Sequence, residues 1–70
     1  MKGTIAGKID LKGFGFINPE GKEDNRENNI FFHATALEGI SFESIAIGTA
    51  VEFDIEPSDK GDRAVRIRCV

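Results

Sequence analysis

Two short aromatic runs are the residues of this chain best suited to chemistry. Residues 12–17 read Lys-Gly-Phe-Gly-Phe-Ile, and residues 30–33 read Ile-Phe-Phe-His. On a strand, alternate side chains share a face, so Phe14 and Phe16 are expected to point the same way. Aromatic faces on neighbouring strands, with a lysine beside them, suit the stacking of unpaired nucleobases. The two runs therefore predict a platform for single-stranded nucleic acid.

A second interpretation places these rings inside the protein. Aromatic residues are common in strands because they pack well, so phenylalanines in a small β protein usually belong to the core. Gly13 and Gly15 favour the platform, because glycine is a poor strand former and adds nothing to a core. We expect these glycines to leave the aromatic face uncrowded.

Size and composition are typical of one soluble domain that spans residues 1–70. The 70 residues are 40% hydrophobic and 30% charged, which is ordinary for a globular protein. No apolar run has the length of a membrane span or of a signal-peptide core, so we expect a cytoplasmic protein with no membrane contact. The single cysteine, Cys69, has no partner for an internal disulfide.

The charge balance limits the kind of nucleic acid that the chain would bind. A formal net charge of −3 argues against binding to duplex DNA through a dense basic face. Stacking on single strands needs only local positive charge. Lysines lie near the first aromatic run and arginines near the end of the chain, so one face is predicted to be locally positive. These residues are Lys2, Lys8, Lys12, Arg63, Arg66 and Arg68.

Hydrophobic alternation and turn residues divide the chain into five short strands. The predicted strands are residues 2–9, 14–17, 29–34, 49–56 and 64–70. Asn18-Pro19-Glu20-Gly21 is predicted to end the second strand, and a short helical turn is expected at 34–37.

Within these strands, alternation assigns side chains to faces. Ile5, Gly7 and Ile9 are predicted to share one face of the first strand. The fourth strand is predicted to turn Val51, Phe53 and Ile55 inward, and the last strand to place Val65, Ile67 and Cys69 together, opposite Arg66 and Arg68.

Five short strands with little helix favour a small closed barrel. The fold predicted is all-β, a five-stranded antiparallel Greek-key barrel of the OB type. Closure also removes the unpaired edges that a small open sheet would expose.

The chain resembles a cold-shock domain, the domain that is also found in Y-box proteins. Residues 12–17 match the first nucleic-acid-binding motif of that family without a gap. Residues 30–33 match the second, and Ala-Thr-Ala-Leu at 34–37 resembles the family's Phe-Ser-Ala-Ile. The further matches, in chain order, are residues 3–5, 42–45, 48–53, 60–61 and 64–67.

The chain also departs from the family pattern, chiefly in its first strand. Where the family usually has Lys-Trp-Phe-Asn, this chain has Ala-Gly-Lys-Ile, so Gly7 and Lys8 replace two aromatic residues. Ala34 stands where an aromatic residue normally follows the histidine. The loop at 18–29 is longer than in compact bacterial members. The resemblance therefore implies a reduced stacking set and weaker binding on a shorter stretch of strand.

Carried over position by position, the resemblance implies a binding site on one face. Phe14, Phe16 and Phe31 would be the central stacking residues, and His33 would stack or hydrogen-bond at the edge. Phe42 would reach in from the long loop. The implied phosphate contacts are Lys12 and, more weakly, Lys8 and Lys60. Phe32, out of phase with Phe31, and Phe53 are predicted to be core.

The leading hypothesis is a monomeric protein that binds single-stranded RNA or DNA and acts as an RNA chaperone. No enzyme activity, cofactor or metal is expected, because His33 has no partner at a useful spacing and Cys69 is distant. The alternative is an OB-type interaction module that has lost nucleic-acid binding and docks a protein. The missing aromatics, the acidic surface and the loop at 18–29 support that alternative.

Overall fold

A computed structural model describes residues 1–21, 28–59 and 61–70. Among these residues it shows five strands and one 3₁₀ turn, Ala34–Ala36, which matches the predicted helical turn. The strands are β1 (Lys2–Ile9), β2 (Phe14–Pro19), β3 (Ile30–His33), β4 (Ala50–Ser58) and β5 (Gly61–Cys69). The all-β prediction is confirmed.

The strand bounds differ most from the prediction at the end of β2 and between β4 and β5. β2 continues through Pro19, which pairs with Gly3, because proline is tolerated in a strand where its nitrogen need not donate. The connection between β4 and β5 is shorter than the predicted 57–62, since Ser58 already pairs with Gly61. Half of the long predicted loop at 18–29, residues 22–27, lies outside the described residues.

The strands close into a barrel in the order β1-β2-β3-β5-β4. The consecutive pairs β1–β2, β2–β3 and β4–β5 are antiparallel, as is the pair of β1 with β4. The remaining seam, between β3 and β5, is parallel and is formed by Phe31 opposite Arg63. This is the predicted Greek-key barrel of the OB type.

A bulge in β1 changes which side chains face outward. Ile5 pairs with Ile17, but the next pair joins Gly7 to Phe16, so Ala6 is an extra residue. Because a shift of one residue exchanges the two faces of a strand, Gly7 does not share the inward face of Ile5. The prediction that Ile5, Gly7 and Ile9 lie on one face is therefore wrong.

A second bulge interrupts β5. Glu52 pairs with Arg68, whereas Asp54 pairs with Val65, so β5 carries one more residue than β4 in this interval. Arg66 takes up the extra length with φ = 50°. The predicted single face of Val65, Ile67 and Cys69 is wrong for Val65, which pairs with Asp54, whereas Cys69 pairs with the buried Val51. Ala64 and Ile67 are buried, while Cys69 is exposed.

The barrel interior is apolar and draws on every strand and on the loop after the 3₁₀ turn. Phe32 and Phe53 are fully buried, as predicted, and Ile45 enters the core from the loop. Ile55, predicted to be inward, is half-buried at the periphery. The buried set is Ile5, Ile17, Phe32, Ile45, Val51, Phe53, Ala64 and Ile67.

Candidate nucleic-acid interface

Strand pairing places the outward side chains of β1, β2 and β3 in two parallel rows. In the first row Phe16 lies between Gly7 and Phe31. In the second row Phe14 lies between Ile9 and His33. The two rows come from alternate positions of each strand, so all six residues belong to one face of the sheet.

Three phenylalanines form the centre of this face, and we call Phe14, Phe16 and Phe31 the aromatic cluster. The ring centroids of Phe14 and Phe31 are 5.3 Å apart, and those of Phe14 and Phe16 are 5.9 Å apart. The Phe14 and Phe16 rings are nearly perpendicular, at 89°. Phe31 is 38% exposed, whereas the other two are half-buried. The rings therefore support one another and still leave aromatic surface open to solvent.

The glycines of the first motif have structural roles that the sequence argument missed. Gly15 faces the interior, where an added Cβ would lie 2.5 Å from the Gly7 carbonyl oxygen and 2.9 Å from the Phe32 ring. Gly13 has φ = 69° in the turn before β2, a conformation that favours glycine. The expectation that these glycines have no structural role in the strand is wrong. Gly15 allows close packing beneath the face, and Gly13 allows the turn.

His33 lies at the end of β3 with its side chain exposed. Its Nδ1 accepts a hydrogen bond from the backbone N–H of Thr35 at 3.2 Å and lies 3.1 Å from the Thr35 hydroxyl. Because Nδ1 is the acceptor, the proton of the neutral ring is on Nε2. The imidazole at the edge of the face is thus oriented by Thr35, and its Nε2–H is the hydrogen-bond donor of the ring.

The three lysines predicted to contact phosphate have different positions in the structure. Lys12 is exposed in the turn between β1 and β2, next to the aromatic cluster in sequence. Lys60 lies outside the described residues.

The structure does not bring Lys8 to the aromatic face. After the bulge its side chain lies on the opposite side of β1 from Gly7 and is only 13% exposed. Its Nζ donates a 2.6 Å hydrogen bond to the Ile45 carbonyl oxygen and lies 5.1 Å from the centroid of the Phe42 ring. Lys8 thereby fastens the loop after the 3₁₀ turn to β1.

Phe42 also lies away from the aromatic cluster. Its ring packs against the core residue Phe32, with centroids 6.2 Å apart, and against Lys8. In this structure the ring is half-buried at the edge of the core and is not stacked beside Phe14 or Phe31.

The arginines near the end of the chain do not form an open positive face. Arg66 Nε donates to Asp54 at 2.8 Å, Arg68 Nη2 donates to Glu52 at 2.7 Å, and Arg63 Nη2 donates to Glu56. The three carboxylates project from β4, opposite β5. These ion pairs neutralise the outer face of β4 and β5, which differs from the predicted local positive charge.

Two of these carboxyl groups have a pKa below the ordinary value. The hydrogen bond from Arg66 lowers the pKa of Asp54, and the hydrogen bond from Arg63 lowers the pKa of Glu56. The positive charge of each arginine adds to the effect. Both groups are exposed, so solvent screens these pairs.

Comparison with known proteins assigns the chain to a family. The family model described as the "Cold-shock" DNA-binding domain matches residues 1–70. The chain belongs to the cold-shock domain family. The chain is 37% identical over 71 residues to the cold shock-like protein CspC of Escherichia coli strain K12, covering 100% of this chain and 96% of the relative. The cold shock protein CspA of Staphylococcus aureus strain NCTC 8325 is 36% identical over 66 residues, covering 94% and 92%.

A solved structure supports the same assignment for the fold. The structure titled drosophila Unr CSD456 superposes with a TM-score of 0.74 and 28% identity, covering 99% of this chain and 26% of that longer chain. The cold-shock domain family is a nucleic-acid-binding family, so membership in it supports nucleic-acid binding by this domain. No helix among the described residues is long and apolar enough to cross a membrane.

Two residues of the face were not among the predicted site residues. Ile9, 40% exposed beside Phe14, reaches the face because of the bulge at Ala6, which no local pattern indicated. Arg63 lies beside Phe31 across the parallel seam. Only the order of strands in the barrel could have revealed that neighbour. In residues 1–21, 28–59 and 61–70, no group of three His, Cys, Asp or Glu side chains could hold a metal ion.

Proposed function

We propose that this protein binds single-stranded RNA or DNA on the aromatic cluster and acts as an RNA chaperone. The observation that carries the proposal is the contiguous, partly exposed cluster of Phe14, Phe16 and Phe31 on the face that bears both motifs. Bases would stack on these rings with little sequence preference, because every base has a π-face. His33 and Lys12 would contact the strand at the edges of the cluster.

The chaperone activity needs no chemical step. A protein that binds unpaired RNA and not the hairpin shifts the equilibrium toward the open form by its difference in affinity. Pyrimidine-rich segments are the preferred ligands in this proposal. The perpendicular rings of Phe14 and Phe16 would require the strand to bend between the bases that they contact.

Affinity should be lower than in a relative with a complete aromatic set. Gly7 offers no ring beside Phe16, and Phe42 is engaged with the core. Each missing base–aromatic contact removes about 1–3 kcal/mol. Lys8 cannot compensate from its position under the loop, so we leave Lys8 and Phe42 out of the proposed contact surface.

The test is a titration of labelled oligouridine and oligothymidine at low salt, followed by fluorescence anisotropy. Replacing both Phe14 and Phe31 by alanine should weaken binding at least about 10-fold, given the energy of stacking. Ile47→Ala is the control for loss of an exposed apolar side chain, because Ile47 is 66% exposed and does not belong to the cluster. Circular dichroism establishes that each variant is folded.

The same experiment separates this proposal from a protein-docking module. Absence of wild-type binding, or binding unchanged by the double substitution, would contradict a stacking surface. Hairpin opening is measured with an RNA that carries a fluorophore and a quencher at its ends. Wild type should raise the fluorescence, and the double variant should not.

A further inference from the structure

The first row of the face continues past the aromatic cluster onto β5. Phe16 pairs with Phe31 across β2 and β3, and Phe31 pairs with Arg63 across β3 and β5. Residues paired across two strands present their side chains on the same face of the sheet. Arg63 is therefore the next outward side chain beyond Phe31.

Arg63 stands between two open clefts. One cleft, of about 560 Å³, is lined by Phe31, by Asp59 after β4 and by Asp62 at the start of β5. The other, of about 270 Å³, lies beside His33, Thr35 and Arg66. Arg63 lines both clefts, so a strand that leaves the aromatic cluster over β3 would pass it.

The side chain of Arg63 is held in place but still able to bind. Its Nη2 donates to Glu56, and half of the side chain is exposed. A guanidinium has five N–H donors, so one hydrogen bond leaves donors for a ligand. Arginine also matches the geometry of a phosphate, to which it can donate two parallel hydrogen bonds.

The charges of the two clefts distinguish their occupants. Among its described residues, the cleft beside Phe31 carries the carboxylates of Asp59 and Asp62, which repel a phosphate but can accept hydrogen bonds from a base. The cleft beside His33 is lined by that imidazole and by a second guanidinium, that of Arg66, which is paired with Asp54. It also contains Glu38, which lies 3.8 Å from Arg68. A phosphate is therefore favoured on the side of Arg63 that faces His33.

We propose that Arg63 binds a backbone phosphate of the strand whose base stacks on Phe31, which extends the binding path from β3 to β5. This inference rests on the proposed function. It assigns a ligand contact to an arginine that the motifs do not contain. Glu56 is then a positioning residue, which orients the guanidinium and does not touch the ligand.

The test compares Arg63→Gln with Arg68→Gln. Both arginines lie on β5, are about half exposed, and form an ion pair with a glutamate of β4. Each substitution removes one positive charge. Arg63→Gln removes the ion pair with Glu56, whereas Arg68→Gln removes those with Glu52 and Glu38, but Arg68 lines neither cleft. Oligouridine affinity is measured across a series of salt concentrations.

We expect Arg63→Gln to weaken binding about five-fold and to reduce the slope of log K against log salt by about 0.7, the value for one phosphate contact on a single strand. Arg68→Gln should stay within about two-fold of wild type. Equal effects of the two substitutions would overturn the inference, because they would show a general charge effect.

Replacing single phosphates of the oligonucleotide by neutral methylphosphonates identifies the contact. At one position the modification should weaken wild-type binding and leave Arg63→Gln unchanged. If no position behaves in this way, the phosphate contact is overturned. Wild-type binding that depends on Phe31 but not on Arg63 would overturn only this inference. Absence of wild-type binding would overturn the proposed function as well.

Discussion

Gly7 and Gly15 lie on adjacent strands of the same sheet, but only Gly7 has room for a side chain. At Gly15 an added Cβ would meet backbone and the buried Phe32 ring at less than 3.0 Å, so the barrel needs glycine there. At Gly7 an added Cβ would meet only Phe16, at 3.9 Å, which is ordinary contact. The position beside Phe16 is therefore open, and the chain leaves it without a ring.

Gly7→Trp should add a stacking partner to the first row. The indole would extend the aromatic face next to Phe16, and we expect oligouridine to bind about five-fold tighter or more. Anisotropy titration measures the change, and Gly7→Ala is the control, since it adds a side chain without a ring. A folded Gly7→Trp protein that binds no better than Gly7→Ala would contradict stacking at this position.

At the scale of elements, the bulges of β1 and β5 determine which residues serve the site. The extra residue at Ala6 sends Ile9 to the aromatic face and Lys8 to the loop. The backbone of the same loop also bonds to β1, through Ile5 N to Thr49 O at 3.0 Å and Gly48 N to Ile5 O at 2.7 Å. Lys8 thus belongs to the support of the loop, and Lys12 to the proposed binding surface.

Lys8→Met should lower stability, whereas Lys12→Met should weaken binding. Lys8→Met removes a charged donor from the Ile45 carbonyl, so the free energy of unfolding should fall by about 1–3 kcal/mol. Lys12→Met should change stability by less than about 0.5 kcal/mol but weaken oligouridine binding. Urea unfolding and anisotropy are measured on both variants. A stable Lys8→Met protein with impaired binding would contradict the assigned role.

The ion pairs between β4 and β5 should make the barrel sensitive to acid. Hydrogen bonds from arginine lower the pKa values of Asp54 and Glu56 in the folded protein. A carboxyl group with a lowered pKa in the folded state stabilises the protein above its unfolded pKa. That stability is lost as pH falls through the folded value.

We therefore expect wild type to lose stability progressively as the pH falls below about 5, with a smaller loss in Asp54→Asn, which has no carboxyl group at 54 to protonate. Urea midpoints of the two proteins across this range measure the difference. Parallel pH profiles for wild type and variant would contradict a contribution from the Asp54–Arg66 pair.

At the scale of the whole molecule, an acidic chain carries its proposed ligand surface without a dense basic patch. The net charge is −3, and three of the arginines are paired with carboxylates of β4. Binding would then draw its affinity mainly from stacking, with few phosphate contacts. Such a surface suits short unpaired segments better than the uniform backbone of a duplex.

The salt dependence of binding should accordingly be shallow. With two or three phosphate contacts, from Lys12, Arg63 and Lys60, the slope of log K against log salt is expected to lie between about −1.4 and −2.1. Titration of oligouridine over a range of salt concentrations gives this slope. A value steeper than about −4 would mean that phosphate neutralisation dominates, and duplex DNA should then compete well.

Some of this protein could be derived from local pattern alone. Alternation and turn residues located all five strands, and the phase of Phe31 and Phe32 separated a surface ring from a core ring. Pattern also located Phe53 in the core. These features depend on neighbours one or two positions away, which a single sequence displays directly.

Other features were decided only when the barrel closed. A bulge shifts the phase of a strand by one residue and depends on the partner strand, so the directions of Lys8, Ile9 and Val65 could not be derived from alternation. The same holds for Arg63, whose neighbour Phe31 is distant in sequence and adjacent only across the β3–β5 seam. The sequence by itself determined which rings and strands the chain has. Tertiary structure decided which side chains stand beside those rings, because the register between strands depends on both partners at once.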